Sequence, residues 1–318
     1  NLIIIYMNLI KGDCLVELKK LKNKSVDFVF LDLPYGQTAC DWDKKIDLNL
    51  LWIELKRIAK NDRTPFFFTT TTKFGYELIK ANEKWFRWDL VWEKNRAAGF
   101  LNAYRLPMRK HEMVYCFAKK SPAYDVSSHK FHYENNPRPR KTEIYGKNDD
   151  KKIKAKIFDD PLPTSVIPPQ EDHELVYCFA KKSPAYDVSS HNEGKSRKIK
   201  PTKPKAEIYG MSSISKPFIF ERENPLPTSI CPPQDEQPSS WCKFSIDQKT
   251  GHRTAKPIKL MEYLLKYWSK EGDTILDPTM GSGSMGIACK NMNRKFIGIE
   301  LNEDIYHLGK KRINDYTK

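Results

Sequence analysis

The sequence predicts an α/β protein: a Rossmann-like, mostly parallel twisted sheet assembled from both chain ends, interrupted by an irregular, internally duplicated insertion. Three observations carry this expectation. Short apolar runs alternate with helically spaced segments over residues 7–120. The same alternation returns from Thr254 to the C-terminal end. Between them the periodicity fades into proline, serine, lysine and asparagine. Residues 7–120 and 245–318 are therefore expected to form one domain, and 121–244 an insertion.

The elements follow in order. Asn8-Leu9-Ile10 and Val26–Leu31 read as strands, with a helix over Cys14–Leu21 between them. Leu48–Lys60 has helical spacing. Pro65-Phe66-Phe67-Phe68 reads as a buried strand, followed by a helix near Phe74–Ala81. Trp88–Trp92 and Met113–Phe117 read as further strands, and the tryptophans here and at Trp42 as packing residues. In the second half, Pro257–Ser269 is a helix, Thr274–Leu276 a strand, Met285–Asn291 a helix, Lys295–Ile299 a strand and Glu303–Ile313 a final helix.

The insertion carries a tandem duplication. His111–Lys120 recurs almost unchanged as His173–Lys182, and the likeness extends over 111–170 and 173–234. Met113–Phe117 and its copy Leu175–Phe179 suit the same strand slot, and both cannot fill it. The first copy follows its natural upstream segment and is expected to dock.

Composition narrows the function. Lys plus Arg exceed Asp plus Glu by 55 − 40, a net charge of +15, which points to polyanions and first to nucleic acid. Lys195, Arg197, Lys198, Lys200, Lys203 and Lys205 form an acid-free run that suits phosphates or solvent equally. No apolar run reaches membrane-spanning length. The seven cysteines lack Cys-x-x-Cys spacing, so reduced thiols in a cytosol-like compartment and no metal centre are expected. Position 1 is not Met, and Met7 opens a sensible sequence, so residues 1–6 are expected to be upstream translation or a fragment edge.

Two segments carry chemistry. Asp32-Leu33-Pro34-Tyr35 follows the strand ending at Leu31. The Asp32 carboxylate and the Leu33 carbonyl can accept the two hydrogens of an exocyclic amine. Pro34 biases Leu33 away from helix, and Tyr35 offers a ring to stack on. An Asp-x-Pro-Tyr turn also forms without any ligand. The second segment, Asp277-Pro278-Thr279-Met280-Gly281-Ser282-Gly283-Ser284, lies between a strand and a helix, where glycines admit a ligand and the helix N-terminus is positive. Glu300 ends the next strand about twenty residues on, where ribose hydroxyls are bound in Rossmann-type folds. An adenosine-containing cofactor fits. The Asp277 carboxylate would repel a pyrophosphate and attract an ammonium or sulfonium.

Together these residues resemble the β-class DNA amino-methyltransferases that use S-adenosylmethionine. Asp32–Tyr35 is similar to their Asp/Asn/Ser-Pro-Pro-Tyr motif, with Leu33 in place of the first proline. Asn8–Asp13 resembles the segment whose acid, here Asp13, lies near the cofactor adenine; Asp13 equally suits a helix N-cap. His252-Arg253-Thr254-Ala255-Lys256-Pro257 resembles His-Pro-Thr-Gln-Lys-Pro, which places His252 and Lys256 with the cofactor; a solvated helix entry is the plain alternative. Asp277–Gly283 resembles the methionine-side loop. The Asp32–Gly36 segment with Trp42-Asp43, and Arg109–Glu112, look like phage- and virus-type adenine enzymes. The resemblance implies methyl transfer to N6 of adenine in double-stranded DNA, after base flipping. N4-cytosine specificity and an inactive DNA-binding relative are the alternatives. It also implies no metal, with a homodimer and a companion restriction endonuclease as further partners.

Overall fold

The computed structural model describes residues 6–37, 43–99, 105, 107–128, 130–135, 154–158, 166–167 and 255–316. The first half contributes β1 (Met7–Lys11), α1 (Cys14–Leu18), β2 (Phe28–Leu31), α2 (Leu48–Ile58), β3 (Phe66–Thr70), α3 (Thr72–Ala81), β4 (Phe86–Ala98) and β5 (Arg109–Phe117). Within the insertion lie β6 (Phe131–Asn135), β7 (Lys154–Phe158) and β8 (Val166–Ile167). The second half adds α4 (Ile258–Trp268), β9 (Thr274–Asp277), α5 (Ser284–Asn291), β10 (Lys295–Glu300) and α6 (Glu303–Asp315).

Eight strands form one sheet in the order β1-β10-β9-β2-β3-β5-β4-β8. Strands β1, β10, β9, β2 and β3 run parallel, and β5 returns antiparallel between β3 and β4. All four residues of β2 are buried, as expected of a parallel strand covered on both faces. Their side chains alternate between two cores. Val29 and Leu31 pack with Leu51, Trp52, Leu55, Phe74 and Leu78 of α2 and α3. Phe28 and Phe30 pack with Leu260, Leu264, Ile287 and Ile313 of α4, α5 and α6. The sheet is thus the middle of three layers, and its C-terminal edge is left to loops.

Local chemistry sets the helix starts. Asp13, Asp47 and Asn302 cap α1, α2 and α6 by accepting backbone amides, as at Leu15 N (2.8 Å), Asn49 N (2.8 Å) and Ile305 N (3.0 Å). Two expectations need correction. The strand anticipated at Trp88–Trp92 runs over Phe86–Ala98 and forms a long hairpin with β5. Charged residues break its apolar pattern; two of them are paired with β5, Lys94 with Glu112 at 2.9 Å and Glu93 with Lys110 at 2.5 Å. The insertion is also not wholly irregular. β6 and β7 pair antiparallel, and β8 extends the main sheet beside β4. Val166–Ile167 is too short to register as a strand pattern.

The first copy of the duplication supplies β5. The second copy, the basic run, Trp42 and His252 lie outside the described residues. Cys14, Cys116 and Cys289 are buried free thiols; burial, reinforced by the Asp13 charge, pushes Cys14 up to about 12. Among the described residues, no helix is long and apolar enough to cross a membrane, and no three metal-ligating side chains cluster.

Candidate active site

The chain leaves β2 toward β3 on one side and β9 toward β10 on the other. Connections departing in opposite directions open a crevice at the C-terminal ends of the two central strands. β2 and β9 meet through Phe28↔Ile275 and Val29↔Leu276. Asp277 ends β9 and Asp32 follows β2, so the two sequence-predicted segments face each other across this seam. Thr279 Oγ1 donates to the Asp32 backbone carbonyl at 3.3 Å and ties them together.

Around Asp32 the turn is tightly held. Leu33 is 3% exposed and packs into the α2/α3 core, so its side chain anchors the turn. Tyr35 Oη donates to Asp32 Oδ1 at 3.2 Å, and its ring lies 5.3 Å from that of Phe74. Thr69 Oγ1 also donates to Asp32 Oδ1. Gly36 turns the chain at φ +63°. The Asp43 carboxylate accepts the Gly36 and Gln37 amides at 2.7 and 2.8 Å. Burial, with the charges of Asp32 and Glu112, pushes the Tyr35 phenol well above its usual range, so it stays a donor.

Lys256 is the unexpected member. The resemblance groups it with the cofactor residues, but its contacts are with Asp32 and Glu112. Its ammonium donates to Asp32 Oδ2 at 2.6 Å and stands 3.8 Å from Glu112 Oε2. Glu112 reaches this edge because β5 is antiparallel, opposite Trp92 of β4. Lys94 holds Glu112 Oε1 at 2.9 Å, while Oε2 is buried without a hydrogen-bond partner among the described residues. Burial pushes the Glu112 carboxyl up, but the Lys256 and Lys94 ammoniums outweigh it and hold the group below its usual value. Burial likewise opposes the Lys256 charge, and Asp32 and Glu112 prevail, raising it. The Arg109–Glu112 segment carried a resemblance, but nothing local in the sequence assigned Glu112 a place beside Asp32; its charge within a strand was the available signal.

On the β9 side, Asp277 is 3% exposed. It accepts Thr279 N at 3.1 Å and makes no ion pair among the described residues. Burial, aided by the Asp32 and Glu300 charges, pushes its carboxyl well above the usual range. Pro278 behind it is buried. Glu300 accepts Gly281 N at 3.0 Å and Asn302 N at 2.9 Å, so it clasps the loop. Asp13 stands at the end of β1 as the α1 cap.

The glycines divide by role. Gly281 has φ +51° and would meet nothing closer than 3.9 Å if given a Cβ, which leaves room for a ligand. Gly283 has φ +79°, and its Cβ would strike Ile313 Cδ1 at 2.8 Å. Gly286 completes a Gly-x-Gly-x-x-Gly spacing, but its Cβ would strike Ile313 Cδ1 at 2.6 Å. These two serve packing against α6. Gly309 of α6, which sequence reasoning missed, lets the Gly281 carbonyl approach; a Cβ would lie 2.6 Å from it. A lone glycine inside a helical run was its signal.

This side fits an adenosine cofactor with a cationic tail. Ser284 Oγ is buried with no hydrogen-bond partner among the described residues, Gly281 leaves space, and Asp277 is a buried acid with no cation bound to it.

Residues 26–311 match the family model for DNA methylases, and the chain belongs to that family. Over 116 residues it is 41% identical to the type II methyltransferase M.HpaI of Haemophilus parainfluenzae, covering 35% of each protein. Over 72 residues it is 35% identical to the DNA adenine methyltransferase YhdJ of Escherichia coli, covering 23% of this chain and 24% of that one. The chain thus spans about a third or less of these relatives' own length. The solved PvuII DNA methyltransferase, described as cytosine-N4-specific, superposes with a TM-score of 0.51 at 10% identity, over 98% of this chain and 88% of that one. That likeness shows the fold.

Proposed function

We propose that this DNA methylase modifies the N6 amine of adenine in double-stranded DNA. One observation carries the reading: a partly buried aspartate, in an Asp-x-Pro-Tyr turn, opposes a buried aspartate with no ion pair among the described residues across a topological switch point. By its resemblance to the amino-methyltransferases, whose cytosine enzymes more often carry serine there, the acid at position 32 favours adenine over cytosine. The motif order, with Asp32 preceding the Asp277 loop, supports placement in the β class.

S-adenosylmethionine is the cofactor and, when bound, supplies an electrophilic methyl group. Asp277 and Ser284 would hold its amino-acid end, Gly281 would leave room for it, and Glu300 and Asp13 would face its adenosine end. The other steps belong to the chain's own residues. Cationic side chains draw in the DNA backbone, and the target base leaves the stack to reach the crevice. Asp32 Oδ2 and the Leu33 carbonyl accept the two amine hydrogens and fix the nitrogen's orientation, which is where positioning gains most. Tyr35 and Thr69 keep the carboxylate in place, and the Tyr35 ring, backed by Phe74, walls the pocket.

The test is direct. The protein is incubated with isotopically labelled cofactor and unmethylated bacterial genomic DNA, which is then digested to nucleosides. Label in N6-methyladenine is the expected result. Label in N4-methylcytosine would replace adenine with cytosine as the target, and DNA binding without label would mark a disabled relative.

A further inference from the structure

We infer that Lys256 is a movable plug in the target-base pocket, and that Glu112 is the receptor to which it withdraws when a base enters. This rests on the reading of Asp32 as the acceptor for the target amine. An ammonium on Asp32 Oδ2 at 2.6 Å occupies the place, and makes the hydrogen bond, that an exocyclic amine needs. The pocket is filled by a mimic of its ligand. A base can bind only when Lys256 gives way, and its apparent affinity falls with the fraction of open pocket.

The second seat is already built. Glu112 Oε2 is buried, has no hydrogen-bond partner among the described residues, and lies 3.8 Å from the same ammonium. An unsatisfied buried carboxylate oxygen is costly, so a donor arriving there recovers free energy lost at Asp32. Lys94 fixes the other oxygen at 2.9 Å, which keeps the receptor still. A displacement of roughly 1 Å brings the ammonium into hydrogen-bond range, and a four-carbon stem permits it.

The test is epistasis in single-turnover methyl transfer to unmethylated genomic DNA. Glu112→Gln removes the charge that draws Lys256 away, so the transfer rate falls by at least about tenfold. The affinity for S-adenosylhomocysteine stays unchanged. Glu112→Asp keeps the charge and recovers most of the rate. Adding Lys256→Met to Glu112→Gln removes the plug, and the double variant is faster than Glu112→Gln alone. Lys256→Arg grips Asp32 with two donors and slows transfer without touching Glu112. A double variant no faster than Glu112→Gln overturns the plug, as does a Glu112→Gln or Lys256→Arg protein as fast as wild type. If the wild type itself transfers no label, the assigned activity fails and the plug falls with it; an active wild type without epistasis removes the plug alone.

Discussion

Asp32 and Asp277 stand at the ends of neighbouring strands, yet their surroundings differ sharply. Asp32 is met by Lys256, Thr69 and Tyr35. Asp277 is more deeply buried and receives one backbone amide. A carboxylate supplied with donors is ready to exchange one of them for an amine. A carboxylate buried without a cation is destabilised until one arrives. Under the proposed function, the two sides of the crevice suit different cargo: a neutral base edge at Asp32 and a charged tail at Asp277.

The largest effect that would break this contrast is at Asp32. Asp32→Ala should lower methyl transfer about 100-fold or more, on the scale of removing one transition-state contact, while calorimetric affinity for S-adenosylhomocysteine stays constant. Loss of both would mean the two acids form one site. Next comes Asp277→Asn, which should weaken cofactor binding about tenfold or more and raise the melting temperature of the cofactor-free protein. The sign follows from its raised carboxyl. The folded chain holds that proton more tightly than the unfolded one, so this group's contribution falls as pH climbs from the unfolded value near ~3.9 to the native one. Melting curves across that range should show the downward slope in wild type and its loss in the variant.

Two smaller changes sharpen the contrast on the β9 side alone. Gly309→Ala drives a methyl group against the Gly281 carbonyl and should destabilise by about 1–3 kcal/mol in urea titrations, with Asp32 undisturbed. Ser284→Ala removes an unpartnered hydroxyl; folding stability should be unchanged or slightly higher, and cofactor affinity about 3- to 10-fold weaker.

Much of the fold could be read from the residues because the signals are local. Phe28–Leu31 and Phe66–Phe68 are continuous apolar runs, and the helix over Ile258–Trp268 has a clear apolar face. Both halves of the crevice were legible for the same reason, since each is a strand followed by a short motif. The remaining pieces depend on distant parts of the chain. Lys256 reaches a residue 224 positions away. Glu112 belongs to the site because β5 reverses direction, and Gly309 because α6 presses on the Asp277 loop. The extension of β4 beyond Trp92 was hidden by charges whose partners lie on another strand.

The seam between β2 and β9 also bears on how this chain could be rewired. β2 through β5 carry the Asp32 turn, and β9, β10 and β1 carry the loops of Asp277, Glu300 and Asp13; the two groups meet side by side without β2 following β9 in sequence. Opening the chain between 168 and 254 would cut none of the described strand pairs. New ends placed there, or two separately expressed fragments divided there, retain every described side chain of the crevice.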